Sequence, residues 1–482
     1  MRRSIASVIL LAGPLCSCAV GPNYRQPDFD SPAAFIGQKA VEQRDAAQKS
    51  DLAHWWPGFN DPMLTELVAE AQANNLDVAQ ALSRVMQAKA GLGAATASLL
   101  PSGAIQASGG HVRTSEVAST GALMHGLGID RDFTSYDGDV VVGWEIDVFG
   151  GLRRGREAAQ ADYIASEAGV VASRLTVSAQ VADTYIAMRG IQQRLAIASE
   201  QAQTQQRLVD MVGLQYDKGI AAELELRQAE GVLAQVRATI PALESGVDAT
   251  MNALDVLLGA QPGAHRAQLS SPAPIPVAPS IAGAGGPAEL LRRRPDLIVA
   301  ERKLAASNAR IGQAISGYFP RISLSGLLGT ASTLGSEHLF QSEATQAQGL
   351  IGLRWRLFDF GRVDAEIQQA KGANSEALSS YRLSVLRASK EVEDAFSDLV
   401  KTEEQDRILQ AGEQSLVRAR DASEAAYKAG VVSLIEVLGA DTSLLQTRDQ
   451  RAVAQTKAAR AAVASFRALG GGWDEQLQVA AR

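Results

Sequence analysis

Between Asp139 and Phe149 the chain alternates. Val140, Val142, Trp144, Ile146 and Val148 fall on one side of an extended segment, and Asp139, Val141, Gly143, Glu145 and Asp147 on the other. The run from Gly349 to Phe358 sets Ile351, Leu353, Trp355 and Leu357 against Gly352, Arg354 and Arg356. A third run sets Ile322, Leu324, Gly326 and Leu328 against Arg321, Ser323, Ser325 and Leu327. A period of two predicts strands. A face carrying Glu145, Asp147, Arg354 and Arg356 does not belong in a dry core, and an apolar outside with a polar inside is the pattern of a membrane barrel. Strands of about ten residues cross a bilayer when tilted. Trp144 and Trp355 lie near the strand ends, where interfacial aromatics meet headgroups. A half-buried sheet in a water-soluble protein is the competing reading.

The stretches that follow change period. Gly151 to about Tyr216 and Arg362 to about Tyr427 contain no proline. Met188, Leu195, Ala202 and Val209 lie seven apart, as do Ile191, Ala198 and Val212, with Gln205 interrupting. Helices of about 65 residues would be about 100 Å long and need neighbours along their length. The seam is narrow and polar stretches such as KTEEQDRILQAGEQ flank it. Such a helix fits the wall of a hollow tube wetted inside and out, or a solid elongated bundle with a solvated face. The strands favour the tube.

Both patterns occur twice. Trp144 and Trp355 are 211 residues apart, and the same offset joins Gly150 to Gly361, Tyr185 to Phe396, Tyr216 to Tyr427, Gly219 to Gly430, Glu225 to Glu436 and Gly259 to Gly470. Upstream the offset is 219, joining Asp77 to Asp296, Arg84 to Lys303 and Pro101 to Pro320. An ordered series with one indel marks an internal duplication, and eight extra residues of the first copy fall in a loop between Pro101 and Trp144. Each copy predicts a moderate helix (Asp61 to Ser98; Pro287 to Ser316), two strands, a very long helix, a glycine turn and a returning helix to Leu258 or Leu469. Two strands per copy give four per chain. An open four-stranded sheet would turn unpaired backbone groups to lipid, so identical copies must close the wall as a ring.

The N-terminus sets the compartment. Arg2 and Arg3 precede IASVILLAGPL, which is too short to span a bilayer and fits a secretory signal. LCSC follows, with Leu15 and Ser17 placed before Cys18 as in a bacterial lipoprotein signal. Cleavage there discards Cys16 and leaves Cys18 as an acylated first residue, carrying palmitate-type chains in outer-membrane lipid; Ala19 after it fits outer-membrane sorting. An ordinary signal peptide with two incidental cysteines is the alternative. The remaining composition refines this picture: hydrophobic residues make up 46% but aromatics 5%, which suits close helix packing. A net charge of -7, with scattered Lys and Arg, gives no reason to expect nucleic acid.

No catalytic chemistry emerges. His54, His111, His125, His265 and His338 are scattered without zinc-ligand spacing, and there is no phosphate loop or nucleophile elbow. GLGAAT from Gly91 imitates part of a dinucleotide fingerprint but sits in a predicted helix. No cofactor, metal or catalytic residue is expected.

The chain resembles the TolC-like outer-membrane efflux proteins, in particular the NodT-like lipoprotein branch that works with RND-type pumps. The resemblance rests on CAVGPNYRQP from Cys18, WWPGFNDPML from Trp55, YDKGIAAELELRQAE from Tyr216, LLRRRPDLIVAERKL from Leu290 and ISGYFPRISLSG from Ile315, in that order along the chain. It implies a mixed α/β membrane protein: a homotrimer whose twelve-stranded β-barrel, four strands per chain, continues into a long periplasmic α-helical barrel. It implies a passive exit duct anchored in the outer membrane, coupled to a periplasmic membrane-fusion (adaptor) protein and an inner-membrane pump. The adaptor would meet the tips at Gly219, Ile220, Gly430 and Val431. Glu436, and less directly Asp441, would take part in a periplasmic gate, although Val432 and Gly439 replace polar residues common in the family. A solvated helix residue is the other reading of Glu436, and a plain turn that of each glycine. The duct of a type I protein secretion system and a periplasmic coiled-coil scaffold are alternative functions.

These readings divide the chain into a signal peptide (1–17), a lipid-anchored tether (18–60), repeat 1 (61–259, strands about 101–113 and 136–149), a Pro/Gly-rich segment placed by the resemblance in an equatorial belt (260–286), repeat 2 (287–470, strands about 319–331 and 346–359) and a tail (471–482).

Overall fold

A computed structural model of the chain describes residues 19–29, 32–44, 49–281 and 286–473. Helix α1 (Gln38–Glu42) and the short β1 (Lys49–Ser50) lead to α2 (Pro62–Asn74), α3 (Leu76–Ala97), β2 (Ser102–Arg113), α4 (Ser119–Gly126) and β3 (Asp132–Ile146). Helices α5 (Gly151–Asp217), α6 (Glu223–Leu257) and α7 (Arg266–Leu269) follow, then β4 (Ser280–Ile281). The second half holds α8 (Pro287–Arg293), α9 (Pro295–Ile315), β5 (Arg321–Ser332), β6 (Thr345–Arg354), α10 (Arg362–Lys428) and α11 (Leu434–Ala468). Helices α5 and α10 have 67 residues each, α6 and α11 have 35 each, and each pair keeps the 211-residue offset. The duplication therefore sets helix length to the residue.

The chain divides into two compact units. The first holds residues 86–165 and 300–380 with the described N-terminal residues 19–27. Its centre is an antiparallel sheet ordered β2-β3-β5-β6. Residues paired across such a ladder share a face. One row runs Ile105, Val140, Leu328, Ala347, and the next row on the other face runs Gln106, Asp139, Gly329, Gln346. β2 and β6 are the outer strands, so within one chain each leaves one edge of its ladder open. Helix α4, eight residues long, fills the β2–β3 connection and has no helical counterpart between β5 and β6, where two single 3-10 turns stand instead.

Two strands stop earlier than the alternation predicts. β3 ends at Ile146 instead of 149, because the Asp147 carboxylate turns to accept the Leu152 and Arg153 N–H groups (3.1 and 2.8 Å) at the start of α5. β6 ends at Arg354 instead of 359, and Asp359 accepts from Gly361 and Val363 (3.1 and 3.0 Å) at the start of α10. Free N–H groups at a helix start attract a carboxylate more strongly than a strand end does.

The second unit holds the remainder. The single helices predicted over Asp61–Ser98 and Pro287–Ser316 are each broken, at Asn75 and at Arg294, where the backbone is extended. Pro295 disfavours helical geometry at Arg294. Asn75 accepts the Asp77 and Val78 N–H groups (2.8 and 3.2 Å) and donates to the Leu257 carbonyl (2.8 Å). Arg294 likewise donates to the Ala468 carbonyl (3.1 Å). Thus in each repeat the side chain at the break satisfies an open carbonyl at the end of the returning helix. Gly259 and Gly470, at φ +75° and +74°, allow the approach: a Cβ would lie 2.5 Å from the Asn74 carbonyl oxygen and 2.9 Å from that of Arg293. Much of the buried surface of α11 is alanine, from Ala452 to Ala468, which accounts for the alanine-rich, aromatic-poor composition.

The predicted polar tether is docked along its described length. Within the first unit, Val20 N–H donates to the Phe149 carbonyl (3.0 Å), and the buried Arg154 donates to the Val20 carbonyl and Asn23 Oδ1 (3.1 and 2.8 Å). Within the second, Glu393 accepts the Ile36 and Gly37 N–H groups (2.7 and 3.1 Å), and the buried Trp55 stacks on Phe466 at 5.5 Å. Tyr24, Phe29, Phe35, Trp55 and Phe59, interleaved with the polar residues, supply the contacts that a polarity average hides. Cys18 and the signal segment lie outside the described residues, as does the tail beyond Trp473.

Candidate functional site: a membrane band and two helix tips

The first part of the site is the two-faced sheet. Val140, Val142 and Trp144 of β3, Ile351 and Leu353 of β6, and Leu324 and Leu328 of β5 are exposed on one face, with Ile351 79% exposed. Trp144 closes this face near the helices and Tyr136 lies eight residues along the same side, a span of about 26 Å at ~3.3 Å per residue. That is close to the ~25 Å apolar band of an outer-membrane barrel. Beyond Tyr136 the same face turns polar: His111 and Arg113 of β2 each lie 3.7 Å from Asp132 of β3. The opposite face carries polar side chains along its length, interspersed with Val141, Leu327 and Leu350. Ser108 donates to Asp137 (3.1 Å), Gln346 donates to Asp139 (2.8 Å), and Arg321 stands 3.9 Å from Glu145. No helix among the described residues is long and apolar enough to cross a membrane.

Both sequence-predicted interfacial aromatics sit at the border of this band, and in the same way. Trp144 Nε1 donates to the Leu99 carbonyl (2.9 Å) and Trp355 Nε1 to the Tyr318 carbonyl (3.0 Å), positions that correspond in the two repeats. Each indole lies partly exposed with its polar edge satisfied, the arrangement a headgroup-level ring requires.

The second part is the pair of turns. Gly219 (φ +70°) follows α5: its N–H donates to the Tyr216 carbonyl and that of Ile220 to the Gln215 carbonyl, both at 2.8 Å. Gly430 (φ +71°) repeats this after α10, its N–H reaching Tyr427 and that of Val431 reaching Ala426, both at 2.9 Å. These paired bonds close a helix end around a left-handed residue, the conformation that glycine adopts without steric cost. The reversal leaves Ile220 and Val431 73% and 76% exposed. Above the turns Leu208 and Val212 of α5, Ala229 of α6, and Leu434 and Leu438 of α11 form one buried cluster, so the two hairpins pack against each other.

Glu436 and Asp441, both predicted for the gate, have opposite environments. Glu436 occupies the first turn of α11 and contacts the Ser433 hydroxyl; that hydroxyl, with nearby backbone N–H groups, holds the carboxyl below its ordinary range. Glu225 takes the matching place on α6 and accepts the Ala222 N–H (3.3 Å). Both glutamates therefore cap helices, whatever else they do. Asp441 is buried and accepts from Gln205 Nε2 at 3.2 Å. Burial raises its pKa; Arg420 opposes this and Glu424 adds to it.

Sequence reading missed two links. Tyr427 donates from its hydroxyl to Gln215 Oε1 (3.0 Å), joining the hairpins one turn from the tips, and Gln205 binds Asp441. The interruption of the heptad at Gln205 was the available signal; the partner, more than two hundred residues away, was not readable. Among the described residues no group of three or more His, Cys, Asp or Glu is placed to hold a metal ion.

Known proteins resemble this chain in sequence and in fold. The family model described as "Outer membrane efflux protein" matches residues 67–260 and 286–471. The "Pyoverdine export outer membrane protein OpmQ" of Pseudomonas putida is 32% identical over 456 residues, covering 92% of this chain and 91% of that one. The "Probable outer membrane lipoprotein SilC" of Salmonella typhimurium is 30% identical over 482 residues, covering 98% of each. The solved structure of the outer-membrane channel OprN superposes with a TM-score of 0.86 at 32% identity, covering 95% of this chain and all of that one.

Proposed function

Because the chain belongs to the outer membrane efflux protein family, we propose that it serves as the passive exit duct of a tripartite efflux system, receiving a small molecule from an inner-membrane pump of the RND type through a periplasmic adaptor. It is an outer-membrane channel protein with the TolC-like barrel and helical fold. The observation that carries the proposal is the sheet: apolar on one face, hydrogen-bonded and polar on the other, and open at both edge strands. Three copies joined β6 to β2 make twelve strands and leave no edge facing lipid. The polar faces then line a wet lumen, and no catalytic group is needed, because the pump supplies the work.

The finer assignments follow from the same reading. Acylated Cys18 anchors the chain in the outer membrane. Gly219, Ile220, Gly430 and Val431 meet the adaptor, since the turns expose two apolar side chains at the ends of the hairpins. Glu436 lines the periplasmic constriction, where threefold repetition brings like charges together and favours a cation. The test is purification from membranes in mild detergent, expected to yield a heat-sensitive trimer that forms channels in planar bilayers. Recovery of a soluble monomer after removal of the lipid anchor alone would overturn the reading. For the gate, Glu436→Ala should change conductance or its block by divalent cations, and an unaltered trace removes Glu436 from that role.

A further inference from the structure

Gln205 breaks an apolar heptad series, and its side chain is fully buried. Its Nε2 donates to Asp441, but its Oε1, also buried, has no hydrogen-bond partner among the described residues. Buried acceptors are almost always satisfied. An ionised carboxylate cannot satisfy this one, because it only accepts; a protonated carboxyl also donates. A proton on Asp441 would reach Gln205 Oε1 while Oδ2 accepts from Nε2, closing the two-bond ring that a carboxylic acid forms with a primary amide. We propose that Asp441 is protonated in the packed seam and forms with Gln205 a proton-controlled latch holding α11 to α5 above the helix tips.

The surroundings fit a neutral acid. The latch continues the buried cluster of Leu208, Val212, Leu434 and Leu438, and Leu444 lies buried one turn further along α11. From α10, Arg420 and Glu424 act on Asp441 with opposite sign, and each has its own ion partner, Asp421 at 2.9 Å and Lys428 at 2.7 Å. α5 presents the neutral Gln205 amide. If α11 leaves α5, Asp441 meets water and loses its proton more easily. The packed seam therefore binds the proton more tightly than the parted one. Acid favours packing, and raising the pH from the ordinary carboxylate value of 3.8 through the raised value of the buried group loosens the latch. Loss of the proton removes one bond and sets a carboxylate against the Gln205 carbonyl oxygen.

The latch rests on the channel reading only where conductance is measured. The direct test is an infrared pH titration of the full-length protein, wild type minus Asp441→Asn, with aspartate carbon-13 labelling to assign the band. The expected result is a protonated-carboxyl carbonyl band that persists above the ordinary carboxylate value of 3.8; a band lost at or below that value overturns the latch. In planar bilayers, wild-type conductance is expected to rise at least about twofold as pH is raised from the ordinary carboxylate value of 3.8 through the raised one. Asp441→Asn should hold the acid value throughout, since an amide makes both bonds at any pH, and Glu376→Gln, which neutralises an exposed carboxylate of α10 away from the turns, should respond like the wild type. An Asp441→Asn profile that follows the wild type overturns the latch. No conductance in any of the three proteins defeats the channel reading, and the infrared band then decides the latch by itself.

Discussion

Two glycines that each repeat keeps carry different burdens. Gly219 needs only its left-handed backbone, since nothing lies within 4 Å of where a Cβ would project, whereas Gly259 needs both the backbone and the space against the Asn74 carbonyl. Gly219→Ala should cost about 1 kcal/mol. Gly259→Ala adds an overlap with backbone that cannot rotate away, for a total of about 2–4 kcal/mol. The heat-dissociation midpoint of the oligomer should fall in that order, and equal midpoints would show that the close approach relaxes freely. Both glycines stand out in the sequence through their partners Gly430 and Gly470. Their separate reasons do not, because clearance from another segment is a three-dimensional quantity.

At the scale of elements, each repeat joins its broken helix to the end of its returning helix through one side chain, but with different chemistry. Asn75 is neutral; Arg294, with its side chain 10% exposed, also pairs with Asp296 and Glu391, both at 2.8 Å. Asn75→Ala should cost about 1 kcal/mol, as a lost cap does. Arg294→Ala should cost about 2–3 kcal/mol, because charged hydrogen bonds are stronger and the half-exposed carboxylates can rehydrate. A smaller loss for Arg294→Ala in chemical denaturation would contradict this ranking. A second element-scale device is the clasp of the α6–α7 connection, where His265 Nδ1 lies 2.7 Å from Asp255 and Nε2 3.2 Å from Glu70. Burial alone would lower the His265 pKa, but the Asp255 bond and the charges of Glu70 and Asp255 outweigh it, and the net shift is upward. Burial likewise works to raise Asp255, and the His265 and backbone N–H bonds reverse it to a net lowering. A raised histidine stabilises fully below its ordinary value of 6.5 and stops doing so as pH climbs through the raised one; a lowered aspartate stabilises above 3.8 and fails as pH falls through the lowered one. Proteolysis within residues 260–270 should therefore be slowest between those limits and quicken on the alkaline side. His265→Gln should abolish the alkaline step. The helices' existence and repeat register were readable from periodicity, while the breaks at Asn75 and Arg294 were not, since a carbonyl from a distant helix end draws each side chain.

For the whole molecule, the two faces of the sheet should respond oppositely to the same change. Ile351 of β6 is on the apolar face, and Gln348 of the same strand is on the polar one. Ile351→Lys places a charge against hydrocarbon and should cost about 2–4 kcal/mol near mid-membrane. Little oligomer should then reach the membrane fraction. Gln348→Lys should assemble normally and shift ion selectivity toward anions in bilayer recordings. Equal assembly of the two variants would mean that the face carrying Ile351 does not meet lipid.

Periodicity is a property of neighbouring residues, and the sequence alone therefore determined the strands, the long helices, the duplication and the need for several copies. It also marked Trp144, Trp355 and the turn glycines, through alternation and the needs of the local backbone. Tertiary structure alone decided which polar residues near the tips are buried. Glu436 and Asp441 look alike five positions apart, yet one caps a helix in water and the other lies in the α5–α11 seam. The difference arises because dielectric and hydrogen-bond supply at a carboxyl are set by whatever segment packs over it, and for Asp441 that segment comes from the other repeat.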